Sequence, residues 1–414
     1  MLKHRRVVVT GLGIVSPVGN DVSSAWNNIV AGKSGIRKIS TFDASAFSTQ
    51  IAGEVMDFNV EDYIPAKEAR HLATFIHYGL AAGIQAWKDC GLEISEANAD
   101  RVGVCIGSGI GGLPTIEQSH SDYLAKGARR ISPFFVPSSI INMISGHLSI
   151  IYGMQGPNLA VVTACTTGLH CIGEAARIIE YGDADVMAAG GAESSVSPLG
   201  IGGFASMRAL SSRNEDPSTA SRPWDKDRDG FVLGEGAGVL ILEEMEHAKA
   251  RGAKIYCELA GYGMSADGSH FTAPREDGRG VAQCTLNALR NAQVNIDEVQ
   301  YVNAHGTSTP LGDLAETVAL KVAFGDHARK IVVNSTKSMT GHLLGGAGGV
   351  ESIFTVLALQ NQISPPTINI FNQDPACDLD YCANVAREMK ISTAICNNYG
   401  FGGTNGSLVF RQVT

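Results

Sequence analysis

A cysteine and two histidines stand at similar points along the chain, each where an apolar run gives way to glycine and small polar residues. Cys165 ends one such run and is followed by an amphipathic stretch that extends to Tyr181. His305 and His342 each follow a further apolar run within a few residues. A thiol with two imidazoles can supply a nucleophile and two N–H donors for a developing oxyanion. These residue types therefore favour acyl-transfer chemistry.

Each of the three residues could instead have a purely structural role. At the start of a helix, unpaired N–H groups favour a thiolate and would lower the pKa of Cys165. The same position also suits a small buried residue in a tight turn, because free cysteine is among the most buried residue types. Either histidine alone could be a structural hydrogen-bonding residue. Metal binding by the three is the rival chemistry, but no pair stands at i, i+3 or i, i+4 spacing.

Strand and helix patterns alternate along the chain, and these elements must position the three residues. The alternation predicts an α/β fold, with parallel-rich sheets covered by helices. Such sheets place functional residues at the carboxyl ends of their strands. The predicted strand regions are residues 7–10, 101–107, 159–164, 184–191, 236–243, 255–263, 299–306 and 331–337, and the predicted helices are 24–31, 70–91, 171–181, 280–292 and 350–361.

The chain is long enough for two structural units. Its 414 residues exceed the size of about 250–300 residues at which a single core stops growing. A break falls near Ala253, so we predict a first unit of residues 1–252, with the cysteine, and a second of 253–414, with both histidines. The stretches that start at Gly230 and Gly400 share a glycine-rich pattern before an apolar strand. Duplication of an α/β unit would leave such an echo.

Composition and charge limit the classes of partner and compartment. Hydrophobic residues make up 44% of the chain and charged residues 18%, which is typical of a globular protein. The formal net charge of -9 argues against nucleic acid, whose phosphates need a basic face. Nine scattered cysteines indicate reduced thiols and hence a cytoplasmic protein. Polar residues or glycine interrupt every apolar stretch before about 18 residues, so we expect no membrane span.

A glycine-rich stretch offers a function of a different class. Gly107-Ser-Gly-Ile-Gly-Gly112 follows a predicted strand and fits the dinucleotide-binding pattern G-x-G-x-x-G. However, Pro114 lies two residues further on, and no second strand ends in an acidic residue at the distance that a ribose contact needs. Nucleotide binding is therefore the least favoured of the functions considered.

Five longer motifs surround these residues and extend the chemical pattern. They are Thr163-Ala-Cys-Thr-Thr-Gly, Arg222-Pro-Trp-Asp-Lys-Asp-Arg-Asp-Gly-Phe-Val-Leu-Gly-Glu-Gly-Ala-Gly, Asn303-Ala-His-Gly-Thr-Ser-Thr-Pro-Leu-Gly-Asp313, Asn334-Ser-Thr-Lys-Ser-Met-Thr-Gly-His342 and Asn398-Tyr-Gly-Phe-Gly-Gly-Thr-Asn-Gly. Together they resemble the motifs of the β-ketoacyl-acyl carrier protein synthases, and most of all those of the elongating type II enzymes of dissociated fatty acid synthesis. The resemblance extends from Val7 to Phe410.

This resemblance implies a thiolase fold, which has five layers in α-β-α-β-α order, is built from two similar halves and pairs into a homodimer. It sets the chain apart from thiolases, because Asn398-Tyr-Gly-Phe lacks their second catalytic cysteine. It also sets the chain apart from Cys-His-Asn enzymes, because His342 occupies the third position. Ketosynthases of polyketide pathways share the Cys-His-His set and stay an open alternative.

The resemblance also implies a condensation in two stages. Cys165 would take an acyl chain from the phosphopantetheine thioester of acyl carrier protein. The backbone N–H groups of Cys165 and Phe401 would form the oxyanion hole, and Phe401 would gate the cysteine. Malonyl carrier would then lose carbon dioxide while neutral His305 and His342 hold its carbonyl, and the enolate would attack the acyl-enzyme. Decarboxylation supplies the driving force, so no cofactor is expected.

Further residues take supporting roles by the same resemblance. Lys337 and Glu351 would form an ion pair that fixes the histidine loops, with Asp313 in the same polar network. No catalytic metal is expected, although a monovalent cation would fit near Asn303, Glu351 and Asn398. The remaining residues are Thr307 and Thr309 for the pantetheine arm, Ile110 and Phe204 for the acyl pocket, and Lys67, Arg70, Arg129, Arg130 and Arg208 for docking an acidic carrier protein.

Overall fold

Strands and helices alternate along most of the chain, as the sequence predicts. The computed structural model describes residues 5–413. The strands are β1 (Val7–Val15), β2 (Arg37–Lys38), β3 (Ile51–Ala52), β4 (Val102–Gly107), β5 (Asn158–Leu159), β6 (Val186–Glu193), β7 (Gly236–Glu244), β8 (Cys257–Ala266), β9 (Tyr301–Asn303), β10 (Val332–Asn334), β11 (Ile363–Ser364), β12 (Arg387–Glu388), β13 (Thr393–Gly400) and β14 (Thr404–Arg411). The helices are α1 (Val22–Val30), α2 (Ala66–Ala69), α3 (Thr74–Cys90), α4 (Leu113–Lys126), α5 (Phe135–Ser139), α6 (Met143–Tyr152), α7 (Thr167–Tyr181), α8 (Pro198–Ser206), α9 (Met245–Ala250), α10 (Arg279–Ala292), α11 (Pro310–Phe324), α12 (Lys337–Thr340) and α13 (Ala347–Asn361).

A ten-stranded sheet contains the same five-strand arrangement twice. The first half has the order β5-β4-β6-β7-β1, in which β4 runs parallel to β5 and β6, and β7 runs antiparallel to β6 and β1. The second half repeats these strand directions in the order β10-β9-β13-β14-β8. A short antiparallel pairing of β1 with β8 joins the halves. The repeated arrangement is what a duplicated unit would form, whereas the boundary after residue 252 stays a prediction.

Two buried helices lie between the halves of the sheet. Helix α7 packs against β6 and β14, and α13 packs against β7 and β13. Every residue from Ala347 to Leu359 of α13 is buried, as expected for a helix that contacts protein on all sides. Glycine permits this close packing, because a Cβ on Gly349 would lie 2.1 Å from the carbonyl oxygen of Gly238 on β7.

Four more helices cover the outer faces of the sheet. Helices α3 and α6 pack on the first half, and α10 and α11 pack on the second. On α10 the buried residues Val281, Cys284, Ala288 and Leu289 recur at helical spacing and face the sheet. The layers are therefore helices, sheet, helices, sheet and helices, which is the α-β-α-β-α order that the family resemblance implies. No helix within residues 5–413 is long and apolar enough to cross a membrane.

The segment before Cys165 is the main departure from the predicted elements. The predicted strand 159–164 is reduced to the two residues Asn158–Leu159. Beyond it, the N–H of Thr163 donates to the side-chain oxygen of Thr167, at 2.9 Å, and not to a neighbouring strand. The hydroxyl at the start of α7 therefore replaces a strand partner, and the backbone can turn sharply before the helix begins.

Candidate active site

Residues from both halves of the chain line one cavity of about 440 Å³. Cys165 comes from the first half, and His305 and His342 come from the second. The structure thus brings together the three reactive side chains that the sequence places in similar loops. Other residues named from the sequence that line this cavity are Phe204, Arg208, Thr307, Thr309 and Phe401.

The nucleophile position is built from a strained turn. Cys165 lies in the 3-10 segment Ala164–Thr166, directly before α7. Ala164 has a φ of 51°, a left-handed conformation that is costly for a non-glycine residue and recurs at functional sites. The backbone N–H groups of Cys165 and Phe401 both lower the pKa of the Cys165 thiol, as donors near a thiolate do. Two N–H donors therefore face the position where a thioester on this sulfur would develop an oxyanion.

Burial raises the pKa of the Cys165 thiol to about 12. Lys337 and the two backbone N–H groups lower this pKa, and the carboxylate of Glu193 raises it further. The expectation of a lowered pKa is therefore wrong. The cysteine does stand at a helix start, but the loss of water around it outweighs the N–H groups that favour a thiolate.

His305 is fixed by a carboxylate that the sequence analysis does not name. Glu316, on α11, accepts the N–H groups of His305 (2.8 Å) and Gly306 (2.7 Å). Burial raises the pKa of Glu316 to about 7. The Nδ2 of Asn398 lies 3.4 Å from the Nδ1 of His305. An amide nitrogen only donates, so the neutral imidazole carries its proton on Nε2.

The two imidazoles form an edge-to-face pair. Their ring centroids are 5.1 Å apart and the interplanar angle is 89°. The ring of His342 also packs edge-on against Phe231, at 5.4 Å between centroids. Burial holds the pKa of both histidines well below the ordinary value, and the charge of Lys337 lowers it further. Both rings are therefore neutral at pH 7, and each can donate one hydrogen bond to a substrate oxygen.

Lys337 and Glu351 form a buried ion pair beside the histidines. The Nζ of Lys337 is 2.6 Å from Oε1 of Glu351, and both side chains are almost fully excluded from solvent. The other carboxylate oxygen accepts from Asn398 Nδ2 at 2.6 Å. Burial raises the pKa of Glu351, although the ammonium of Lys337 opposes the shift. The pair thus connects α12 and α13 to the strand residue that contacts His305.

Oxygen atoms next to this ion pair suit the predicted monovalent cation. The side-chain oxygens of Asn303 and Asn398 are both buried without a hydrogen-bond partner. The Nδ2 of Asn303 donates to the backbone carbonyl of Glu351, at 3.3 Å. Amide and carboxylate oxygens are the ligands that hard cations prefer, so these residues fit such an ion. The cation itself stays a prediction.

Asp313 contacts Trp224, Ser308 and Arg228 directly, and not the Lys337–Glu351 pair. Its carboxylate accepts the N–H groups of Trp224 (2.9 Å) and Ser308 (3.1 Å) and lies 3.5 Å from Nε of Arg228. Burial raises the pKa of Asp313 to about 6. The residue therefore clamps the loop between β9 and α11 onto the segment around Trp224 and does not contact Lys337 or Glu351 in this network.

The residues predicted to form the gate and to bind the pantetheine arm lie at the cavity wall. Phe401 is 36% exposed and its ring centroid is 6.4 Å from that of Phe204. It stands in the turn between β13 and β14, next to glycines with positive φ. The hydroxyls of Thr307 and Thr309 are 3.0 Å apart, and that of Thr309 also caps α11.

Ile110 and the residues predicted to dock the carrier lie outside this wall or at its margin. Ile110 is 38% exposed and does not line the cavity of the single chain. Its backbone N–H donates to Glu193, at 3.2 Å, and part of its side chain is exposed to solvent. The five basic residues predicted to dock the carrier are all exposed, and one of them, Arg208, also lines the cavity; they are Lys67, Arg70, Arg129, Arg130 and Arg208.

Backbone N–H groups of the glycine-rich stretch at 107–112 already have a hydrogen-bond partner within the protein. The N–H groups of Gly109 and Ile110 donate to the carboxylate of Glu193, at 2.8 and 3.2 Å. A dinucleotide pyrophosphate would need these donors, so the structure argues against nucleotide binding here. Glu193 and Glu316 are buried carboxylates beside the site that the sequence did not single out. Each had a signal: an acid ending an apolar strand, and an acid one helical turn after Asp313.

Comparison with known proteins identifies the family. Family models described as "Beta-ketoacyl synthase, N-terminal domain" and "Beta-ketoacyl synthase, C-terminal domain" match residues 4–248 and 256–371. The chain belongs to the β-ketoacyl synthase family. This synthase is 59% identical over 413 residues to a protein named 3-oxoacyl-[acyl-carrier-protein] synthase 2 from Vibrio harveyi, and the match covers 100% of both chains. A protein of the same name from Synechocystis is 50% identical over 411 residues, with 99% of both chains covered.

Solved structures of ketosynthases share the fold of this β-ketoacyl synthase. One is a ketosynthase in complex with its type II polyketide acyl-carrier protein and bound to a hexaketide. It matches with a TM-score of 0.93 and 37% identity over 100% of both chains. A β-ketoacyl synthase from Burkholderia phymatum matches with a TM-score of 0.92 and 34% identity over 99% of this chain and 100% of that chain. The fold is therefore the α/β thiolase fold of the ketosynthases.

Proposed function

We propose that this chain is an elongating 3-oxoacyl-[acyl-carrier-protein] synthase of fatty acid synthesis. The observation that carries the proposal is one cavity lined by a buried thiol, Cys165, and two neutral imidazoles, His305 and His342. The name of the full-length relatives at 50–59% identity supports it. The reaction joins an acyl group to the two carbons that malonyl carrier keeps after it loses carbon dioxide.

In the first half-reaction, the Sγ of Cys165 attacks the thioester carbonyl of an acyl chain on the carrier's phosphopantetheine. The N–H groups of Cys165 and Phe401 hold the oxyanion. The bond from the acyl carbon to the pantetheine sulfur breaks, and the proton of the cysteine thiol ends on that sulfur. The charge of Lys337 stabilises the thiolate as it forms, which offsets part of the cost of burial.

In the second half-reaction, malonyl carrier occupies the same cavity. The N–H groups of His305 and His342 bind its thioester carbonyl oxygen while the bond to the carboxylate breaks and carbon dioxide leaves. The electron pair of that bond forms an enolate, whose carbon attacks the acyl carbon on Cys165. The sulfur leaves and takes up a proton. Neutral imidazoles suit this role because they donate hydrogen bonds to the enolate oxygen without protonating it.

Supporting residues complete the proposed site. The Lys337–Glu351 pair positions Asn398 and through it His305, and Asp313 holds the loop of Thr307 and Thr309, which would bind the pantetheine arm. Phe204 would line the acyl pocket, together with Ile110 once a partner subunit covers its exposed side chain. The chemistry needs no cofactor, because decarboxylation drives it.

The proposed partners are acyl carrier protein and a second copy of this chain. The exposed basic residues at 67, 70, 129, 130 and 208 suit an acidic carrier, despite a total charge of -9. Apolar side chains exposed near the edge strand β5, Ile150, Ile151 and Val162, favour a homodimer. We place the protein in the cytoplasm, where its nine free thiols would stay reduced.

Reconstitution of one turnover tests the proposal. Acyl carrier and malonyl carrier are incubated with the protein, and the carrier-bound products are identified by mass. A single 3-oxoacyl product, longer by two carbons, is the expected result. Repeated extension to a poly-β-keto chain would instead favour the polyketide alternative, and recovery of both substrates unchanged would contradict the proposed reaction.

A further inference from the structure

A buried carboxylate outside the catalytic triad connects three loops of the active site. Glu193 is the last residue of β6 and its side chain is fully buried. The two carboxylate oxygens accept five hydrogen bonds of 2.8–3.2 Å, all from neutral donors: Ser108 Oγ, Gly109 N, Ile110 N, Ser195 Oγ and Gly345 N. This number of donors is unusual for a residue that only fills space, since a carboxylate has about four lone-pair sites.

The donors to Glu193 belong to loops from different parts of the chain. Ser108, Gly109 and Ile110 follow β4, whereas Gly345 lies three residues after His342, in the turn Leu344–Gly346. The backbones of these loops touch each other. A Cβ on Gly345 would lie 2.2 Å from the nitrogen of Gly109, so no side chain fits between them.

The nucleophile turn lies against the same junction. A Cβ on Gly109 would be 2.7 Å from Oε2 of Glu193 and 3.4 Å from the carbonyl oxygen of Ala164, the residue before Cys165. Glu193 is thus close enough to act on the thiol by its charge. The charged and titratable groups that act on this thiol are Lys337 and Glu193, and the neutral His305 and His342 share its cavity.

We propose that Glu193 is a positioning residue for condensation, whose carboxylate fixes the loop after His342 against the loop that carries Ile110. The inference rests on the proposed function, because it assumes that His342 holds the malonyl carbonyl. Without these five hydrogen bonds, the two backbone loops present N–H donors to each other and would move apart. The His342 ring would then lose its place relative to Cys165.

The variant Glu193→Gln tests this role with little change of volume. At Oε2 both partners are backbone N–H groups, which can only donate a hydrogen bond. At Oε1 two of the three partners are hydroxyls, which can also accept one. The amide nitrogen would therefore take the Oε1 position and lose the bond from Ile110. We expect condensation to fall about tenfold to hundredfold, because small misplacements of catalytic groups have effects of this size. Acyl loading of Cys165 should change by less than about threefold, because Glu193 binds neither of the N–H groups of the oxyanion hole.

A second measurement separates the charge of Glu193 from its bridging contacts. Glu193→Gln removes a negative charge near the thiol, so iodoacetamide should label Cys165 faster at pH 8 than in the wild type. Glu193→Asp keeps the charge but is one methylene shorter, so its labelling rate should match the wild type while condensation falls. An effect through charge alone would not slow condensation in Glu193→Asp, whose labelling rate stays at the wild-type value.

Glu235→Gln is the matched control. Glu235 is also a buried carboxylate that accepts from neutral donors, but these are Val55 N, Tyr78 Oη and Ser194 Oγ, none of which lies in the loop after β4 or in the loop after His342. This variant should leave labelling of Cys165 unchanged. If Glu193→Gln condensed at the wild-type rate, the proposal would be overturned. Equal losses of condensation rate in Glu193→Gln and Glu235→Gln would overturn it as well.

Ser108→Ala decides the question if Glu193→Gln does not fold. It removes one of the five donors and keeps the charge, so condensation should fall while labelling of Cys165 at pH 8 stays constant. Unchanged condensation in this variant would contradict the proposal. Failure of the wild type to condense at all would instead reject the proposed function, and the labelling rates would still report the effect of Glu193 on the thiol.

Discussion

The buried thiol of Cys165 feels the charges of a cation, Lys337, and an anion, Glu193. The cation and the nearby N–H groups favour the thiolate, but burial and the anion prevail, and the pKa of the thiol rises to about 12. A resting thiol of this kind reacts slowly with most electrophiles, because the thiolate is the nucleophile. Bound substrate would supply what the free site lacks, a carbonyl held next to the sulfur by two N–H donors.

The pH dependence of alkylation follows from this pKa. Below its pKa the thiolate fraction grows about tenfold per pH unit, so labelling of Cys165 by iodoacetamide should rise about tenfold from pH 8 to pH 9. Lys337→Met should label more slowly at either pH, because loss of the positive charge raises the pKa of the thiol further. Mass spectrometry of the labelled peptide measures both rates, and Cys165→Ala is the control. A rate that stays flat above pH 7 would show that the thiol is already ionised.

The two histidines should matter more for one half-reaction than for the other. His305→Ala and His342→Ala should each slow malonyl decarboxylation by about 10²–10³, as removal of an oxyanion donor typically does. Loading of Cys165 should be affected much less, because its oxyanion is held by backbone N–H groups. The control is His327→Ala, whose ring bonds to the carbonyl of Val299 outside the cavity. Equal losses in both half-reactions would argue against this division of roles.

At the scale of elements, the periodicity of apolar residues predicted most of the strands and helices, because that pattern follows from which face of each element is buried. The buried strands, the helices between them and the return of Cys165, His305 and His342 to one cavity follow from apolar runs that end in glycine. The direct partners of Asp313 were not predicted, because Trp224 and Arg228 lie about 85–89 positions earlier and only packing brings them close. The pKa of Cys165 was missed for a similar reason, since depth of burial is a property of five packed layers.

The turn between β13 and β14 offers a test of backbone conformation alone. Gly402 has a φ of 86°, and a Cβ there would meet no atom within 4 Å. Gly402→Ala should therefore cost about 1 kcal/mol of the free energy of unfolding through strain. It should also slow acyl loading, because the same turn presents the N–H of Phe401.

Gly203→Ala is the matched control for this turn. Gly203 lies within α8, has no positive φ and likewise has open space around a Cβ. Alanine there should raise the free energy of unfolding by about 0.5–1 kcal/mol, because glycine is a poor helix former. Denaturant unfolding and loading rates measure both variants. Equal behaviour of the two would show that the left-handed backbone of Gly402 is unimportant.

At the scale of the whole molecule, a local patch of positive charge stands on a chain whose net charge is negative. The chain has a net charge of -9, yet Arg129 and Arg130 are exposed next to each other in the segment after α4. If an acidic carrier docks here, Arg129→Glu with Arg130→Glu should raise KM for carrier-borne substrates. The increase should be larger at low salt, because exposed charges are then screened less.

A distant charge reversal controls for the change in total charge. The control variant is Lys249→Glu, on α9. This helix follows the carboxyl end of β7, whereas Glu193 pairs with the opposite, amino end of the same strand. This variant should leave KM for the carrier substrate unchanged. If KM is equally unaffected in the double arginine variant, these residues do not belong to the docking surface.

The central claim is that Cys165 carries the acyl group between two carrier-bound substrates. The most direct measurement is the mass of the intact protein after incubation with acyl carrier protein, followed by peptide mapping and then by addition of malonyl carrier. We predict one acyl group per chain, attached through a thioester at Cys165, that disappears when malonyl carrier is added and reappears in a 3-oxoacyl product. An unmodified protein, or an acyl group on another residue, would contradict the account.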